Sequence, residues 1–260
     1  MLPLLAVLCI AKFGQRPQQQ DVLLQQAQLA AAALPAELML NERQNGIALL
    51  SQGNISLSEQ DINDAIVRNR ADMTVSRAWP DGNNQIAMLS AIGLDRRQHF
   101  ANSYLVGVRP FITDNDWLPL YVLARRKVYQ LDSEQYGVDE MWQNSAQAFQ
   151  LLRGDCEDHA LVLADWLISE GLDARVVVGR YKDQGHAWVV VFKESQVFLL
   201  EATDKRAGKS WNHYPLAALA EHYHPEFMFN RTQFWTNTGS RFTRQYSGAN
   251  WRQSANFSRI

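Results

Sequence analysis

The chain has only two cysteines, Cys9 and Cys156, among its 260 residues. A disulfide scaffold is therefore excluded as the source of stability, and so little cysteine points to neither a reducing nor an oxidising compartment. Excess charge of one sign is missing too: 25 Lys and Arg stand against 27 Asp and Glu, a net charge of -2. Nothing in that balance draws the chain to nucleic acid. The apolar run at the N-terminus, Met1 to Ala11, has eleven residues, whereas spanning a bilayer takes about 20. No internal repeat is visible. What the chain does have is 47% hydrophobic residues, with eight Trp and eleven Phe, ample apolar area for a packed core.

That N-terminal run (MLPLLAVLCIA) suits the apolar region of an export signal. However, no positive residue precedes it and no A-x-A-like site follows. Cys9 follows Leu8 rather than the small residue a lipoprotein cleavage site requires. Residues 1–14 therefore read either as an export signal or membrane-anchor remnant, or as a buried first segment. The first reading implies a periplasmic or membrane-associated protein, the second leaves the cytoplasm open. Residues 15–110 read as a helical N-terminal region. A helix is expected over 21–34, ended by Pro35, and another over 58–70, opened by Ser58 and Asp61 in capping-box spacing. A loop breaks the chain at 79–84, and 85–108 carries mixed signals. Behind Asp116, the apolar spacing of WLPLYVLARRKVYQ suggests a helix to about Tyr129.

From Val138 the character changes. Residues 141–152 read as helical until RGD breaks them, and 156–170 (CEDHALVLADWLISE) form an amphipathic helix stopped by Gly171. Three β-rich runs follow, at 174–181, 186–192 and 197–202. A helix followed by sequential strands implies α+β rather than a parallel doubly wound sheet.

Asp155 occupies the N-cap position of the 156–170 helix, with Asp158 in capping-box spacing. Cys156 then lies in the first helical turn, where unsatisfied N–H groups and the dipole favour a thiolate. Asp155, Glu157 and Asp158 oppose that anion, so the thiolate needs a cationic partner such as imidazolium. His186 opens a strand after the turn-forming KDQG. With Glu194 and Ser195 as the tip of the next hairpin, Lys193 faces Gln196 and Trp188 faces Glu201. His186 and Glu201 then share one face as diagonal neighbours, whereas Asp204 falls on the other. Parity selects Glu201 as the group that orients His186.

The blocks GDCEDHALVLADWLISEGLDARVVVGRY, GHAWVVV and FLLEATD, in that order across about 139–204, resemble the transglutaminase-like superfamily. D-C-E-D is closest to its bacterial transglutaminase-like cysteine proteinases. Two positions depart from that pattern: Glu201 stands where Asp is usual, and His159 where those proteinases commonly carry Tyr. The resemblance implies a papain-like core near 111–229, with the nucleophile helix packed on an antiparallel sheet, and a basic, aromatic extension at 230–260. It implies a thioester mechanism with Cys156 as nucleophile, His186 as base and Glu201 as orienting acid, acting on protein or peptide amides. The backbone N–H of Cys156 is the first oxyanion donor, with Trp142, Gln143 and Asn144 as upstream candidates. No cofactor is required for this chemistry. In such relatives the acids around the nucleophile can bind calcium, which maps to Asp155, Glu157 and Asp158. The alternative is that these acids only complement the helix dipole. A transamidase using the same residues, or a non-catalytic module that kept the fold, are the competing functions.

Two further features have plain readings. His213, His222 and His224 cluster without an evident fourth ligand and read as surface or packing residues rather than zinc ligands. The arginines and six aromatics after Asn230 read as a segment packed back on the domain.

Overall fold

In the computed structural model the described residues are 16–39, 47–50, 56–67, 73–81, 84–205 and 215–259. The apolar segment 1–14 with Cys9, and His213, lie outside them. Helices α1 (Arg16–Ala32) and α2 (Ala36–Met39) come first, followed by strands β1 (Ile47–Leu50) and β2 (Ser56–Ser58). Helix α3 (Glu59–Val67) begins at the expected capping box, in which Ser58 N donates to Asp61 Oδ2 at 2.7 Å and Asp61 N donates to Ser58 Oγ at 3.2 Å. Strands β3 (Val75–Asp81), β4 (Asn84–Ile92) and β5 (Gln98–Phe100) follow. Then come α4 (Leu118–Arg126), β6 (Val128–Tyr129), α5 (Asp132–Gln135), α6 (Ser145–Gln150) and β7 (Arg153–Gly154). Helix α7 spans Cys156–Ser169 and leads into β8 (Asp173–Tyr181), β9 (Gln184–Lys193) and β10 (Gln196–Leu200). Strands β11 (Tyr223–Phe229), β12 (Gln233–Asn237) and β13 (Trp251–Arg259) complete the chain.

The architecture is α+β. An eight-stranded antiparallel sheet runs β10-β9-β8-β11-β12-β13-β1-β2, beside a three-stranded sheet β3-β4-β5 and a parallel pair β6-β7. This corrects two expectations. Residues 15–110 are not a helical region: they supply five strands, two of them to the main sheet. Residues 230–260 are not an extension, because β12 and β13 join β11 to β1 inside that sheet. Strand β1 gains its place in the main sheet from β13, a partner far away in sequence that a local pattern cannot register. The helix expected to reach Tyr129 stops at Arg126, since Val128 and Tyr129 pair with Arg153 and Gly154.

The main sheet is buried on both faces, which explains the uninterrupted apolar runs VVV and AWVVV. Ala187, Val189 and Val191 of β9 pack with α7 in the larger core, whereas Trp188 and Val190 pack on the opposite face with Tyr246. The alternation follows from the period of two along a strand. Two tight turns fix the registers around β9. Lys182 and Asp183 both have positive φ, as do Glu194 and Ser195, the pattern of two-residue type I′ hairpins. Gln196 therefore faces Lys193 and Leu199 faces Val190, the register expected.

Helix α7 is held in depth by Asp165, which is fully buried. Its Oδ2 accepts from Gly107 N and Val108 N, both at 2.8 Å, and from the Ser145 hydroxyl. Its Oδ1 accepts from Arg231 Nε at 2.6 Å. One carboxylate thus joins the nucleophile helix to the 107–108 segment, to the start of α6 and to the β11–β12 turn. Asp165→Ala leaves Arg231 Nε and two backbone N–H groups without their acceptor. The expected loss is about 3–5 kcal/mol of unfolding free energy, the range for breaking one side of a buried pair, measured by urea titration. A loss below about 1 kcal/mol would show that α7 does not depend on this carboxylate.

Candidate active site

Cys156 is the first residue of α7 and is partly buried. The backbone N–H of Ala187 is directed at its sulfur, so the thiol lies beside the His186–Ala187 step of β9. The thiol itself donates to Glu157 Oε2 at 3.3 Å. Burial, and then the charge of Asp155, push its pKa up to about 12. Cys156 and His186 are not hydrogen-bonded to each other among the described residues.

His186 sits at the start of β9, on the face of Trp188 and away from the body of α7. Its Nε2 lies 2.8 Å from Glu201 Oε2. Its ring stacks on Trp188 at 6.1 Å between centroids, with Tyr181 at 5.7 Å and Tyr223 at 6.3 Å. Glu201 also accepts from the Tyr223 hydroxyl at 2.8 Å, from Thr203 N at 3.0 Å and from Thr203 Oγ1 at 2.6 Å. Burial works to raise the Glu201 pKa. The hydrogen bonds from His186 and Thr203 outweigh it and leave the carboxyl below its ordinary range. An ionised carboxylate can only accept, so the proton lies on His186 Nε2 and Nδ1 is left as the basic nitrogen. Fully buried His159, on α7, has Nδ1 3.3 Å from Ala202 O and so ties the nucleophile helix to the segment that carries Glu201.

The structure thus brings His186 to Glu201 and sets Cys156 at the next residue of the strand. The three upstream oxyanion candidates are engaged elsewhere. Trp142 Nε1 donates to Glu140 Oε2 at 3.1 Å. Gln143 Nε2 donates to Tyr136 Oη and Arg153 O, both at 2.9 Å. Asn144 caps α6 in a capping box with Gln147 and donates from Nδ2 to Leu38 O at 3.2 Å. The side-chain donors of Trp142, Gln143 and Asn144 thus already have acceptors within the protein. His222 and His224 pack against the rings of Tyr181 and Phe242.

The acids around Cys156 do not cap the helix. Asp155 stands at the N-cap position but makes no side-chain cap bond, and Asp158 Oδ1 instead accepts from Gln143 N at 2.8 Å. A fourth carboxylate joins them. Ligand oxygens of Asp132, Asp155, Glu157 and Asp158 all lie within 4.8 Å of one another. Each of the four has a buried oxygen with no hydrogen-bond partner. Burial, reinforced by Asp155, pushes the Asp132 carboxyl up to about 8 and holds Glu157 and Asp158 well above the usual range. Orphaned hard oxygens at this spacing fit calcium, whose ligands at about 2.4 Å stand up to about 4.8 Å apart across the ion. Asp132 is distant in sequence and carries no motif, so nothing in the sequence marked it. Nor did anything mark Tyr223, between two histidines that had drawn the metal reading.

Calcium added to the chelator-treated protein is therefore expected to raise its melting temperature. The gain reaches about 2.7 kcal/mol at a hundredfold excess over Kd. Asp132→Asn should stabilise the calcium-free protein by relieving repulsion and weaken the calcium response. An unchanged melting temperature with and without calcium in the native chain would contradict the site.

Residues 140–256 match the family model described as the CEP76 peptidase-like domain. No curated protein sequence matches the chain. Solved structures of Legionella pneumophila LapG are similar. One is 17% identical with a TM-score of 0.39, covering 48% of this chain and 67% of LapG. An EGTA-treated form is 16% identical with the same TM-score of 0.39, covering 52% of this chain and 74% of that one. A calcium-bound form is 17% identical, also at 0.39, covering 58% and 83% respectively.

Proposed function

We propose that the chain is a cysteine-dependent amide hydrolase of the transglutaminase-like, papain-like kind, acting on protein or peptide. The observation that carries this reading is the ionic hydrogen bond of His186 Nε2 to Glu201 Oε2, at 2.8 Å, on the strand whose next N–H meets the Cys156 sulfur. The match of residues 140–256 to a peptidase-like domain supports it. Cys156 gives its proton to His186 Nδ1 and attacks the carbonyl carbon. The tetrahedral intermediate collapses as His186 protonates the leaving amine, which leaves a thioester. Water, deprotonated by His186, then releases the acid and regenerates the thiol. Glu201 holds the ring with Nδ1 free throughout. The backbone N–H of Cys156, at the helix start, is the oxyanion donor we assign.

A cation held by Asp132, Asp155, Glu157 and Asp158 would supply positive charge beside the nucleophile and offset the Asp155 repulsion that adds to burial in keeping it protonated. Glu157, at present the acceptor for the Cys156 thiol, is one of these four ligands.

Alkylation of Cys156 by iodoacetamide tests the reading. At neutral pH the native chain with calcium should react at least tenfold faster than His186→Ala, a difference corresponding to about 1.4 kcal/mol. Chelation should slow the native chain. Labelling equal in native and His186→Ala protein would instead favour a binding module. With peptide mixtures, new termini by mass spectrometry identify hydrolysis, and uptake of a primary amine identifies transamidation.

A further inference from the structure

We propose that Tyr223 is a positioning residue of this site, acting through Glu201 to fix the imidazole of His186. The inference rests on the catalytic reading above and adds a member from a different strand. Glutamate ends a flexible stem whose rotamer freedom must be frozen for its carboxylate to hold one geometry. Glu201 lies just past the end of β10, where no ladder bond restrains it. Its Oε1 is fixed locally by Thr203, through N at 3.0 Å and Oγ1 at 2.6 Å. That bracket leaves Oε2, the oxygen that meets His186, free to swing about the Cδ position. The Tyr223 hydroxyl closes this freedom: it donates to the same Oε2 at 2.8 Å, the distance at which His186 Nε2 meets it.

The donor is itself rigidly held. Tyr223 opens β11, paired with Tyr181 of β8. Its ring lies 4.6 Å from that of Tyr181 and 5.2 Å from that of Trp188, whose Nε1 donates to Tyr246 Oη at 3.1 Å. Burial and the facing charge of Glu201 push the phenol pKa up, so the hydroxyl remains a donor. Three rings and three donors, Tyr223 Oη, Thr203 N and Thr203 Oγ1, therefore present Oε2 to His186 in one place. A tyrosine serving only to fill the space beside Trp188 would not need its hydroxyl aimed at a buried carboxylate oxygen.

The test is a double-mutant cycle on the full chain with calcium, read as the rate of Cys156 alkylation by iodoacetamide at neutral pH. Tyr223→Phe keeps the ring and removes the one donor. It should slow alkylation about tenfold, the effect of one lost charge-assisted hydrogen bond, with a melting temperature within a few degrees of native. In a Glu201→Gln background the same substitution should slow it no further, because the carboxylate it acts through is gone. A native rate in Tyr223→Phe, or an equal loss in both backgrounds, overturns the inference and reduces Tyr223 to packing. His186→Ala run alongside separates the two failures. A native rate in His186→Ala removes the catalytic reading and this role with it. A slow His186→Ala beside a native-rate Tyr223→Phe removes this role alone.

Discussion

The carboxylate of Glu201 is where three parts of the molecule meet: β9 through His186, β11 through Tyr223 and its own turn through Thr203. Four donors on two oxygens are what allow a largely buried carboxylate to stay ionised, and only an ionised Glu201 fixes the proton on His186 Nε2. That arrangement depends in turn on one hairpin register, set by the positive-φ pair Glu194 and Ser195. A slip of one residue would send Glu201 to the face covered by α7 and leave its charge unpaired, a cost of several kcal/mol. The turn thus decides both whether the sheet is stable and whether the histidine is oriented.

At the other side of Cys156 the same physics is left incomplete. Asp132, Asp155, Glu157 and Asp158 converge with four oxygens that have no donor. Lys127, also buried, gives its ammonium to Ala148 O at 2.7 Å and Leu151 O at 3.0 Å. Beyond the attraction of the Lys127 ammonium for Asp158, the cluster relaxes by taking up protons, and the Cys156 thiol donates to Glu157. The two halves of the site differ in this respect: His186 and Glu201 are paired within the protein, whereas the acids around Cys156 leave four buried oxygens without a donor. The nucleophile helix spans both, anchored at its far end by Asp165 and Arg231.

The sequence made the central elements legible because they are local. The 156–170 amphipathic pattern became α7 with Gly171 at φ +90° beyond it. Period-two parity across the Glu194–Ser195 tip picked out the carboxylate that meets His186. What stayed hidden was non-local. Strand β1 joins the main sheet because it pairs with β13 across almost the whole chain. Asp132 joins the acids near Cys156 only through the fold. Asp155 and Asp158 had the spacing of a capping box, yet their oxygens point at each other and at Gln143 N rather than at their own helix. The partners of Trp142, Gln143 and Asn144, among them Glu140, the Tyr136 hydroxyl and Leu38 O, were not readable from the sequence either.

The most direct test of the account is the protonation state of the His186 ring, read from its 15N chemical shifts in histidine-labelled protein at neutral pH. The account predicts a proton on Nε2, facing Glu201, with Nδ1 either unprotonated or carrying the proton taken from Cys156. Replacing Cys156 with Ala should leave the Nε2 proton in place. A ring protonated on Nδ1 alone would place the lone pair against Glu201 and leave no base for the thiol, contradicting the account at its centre.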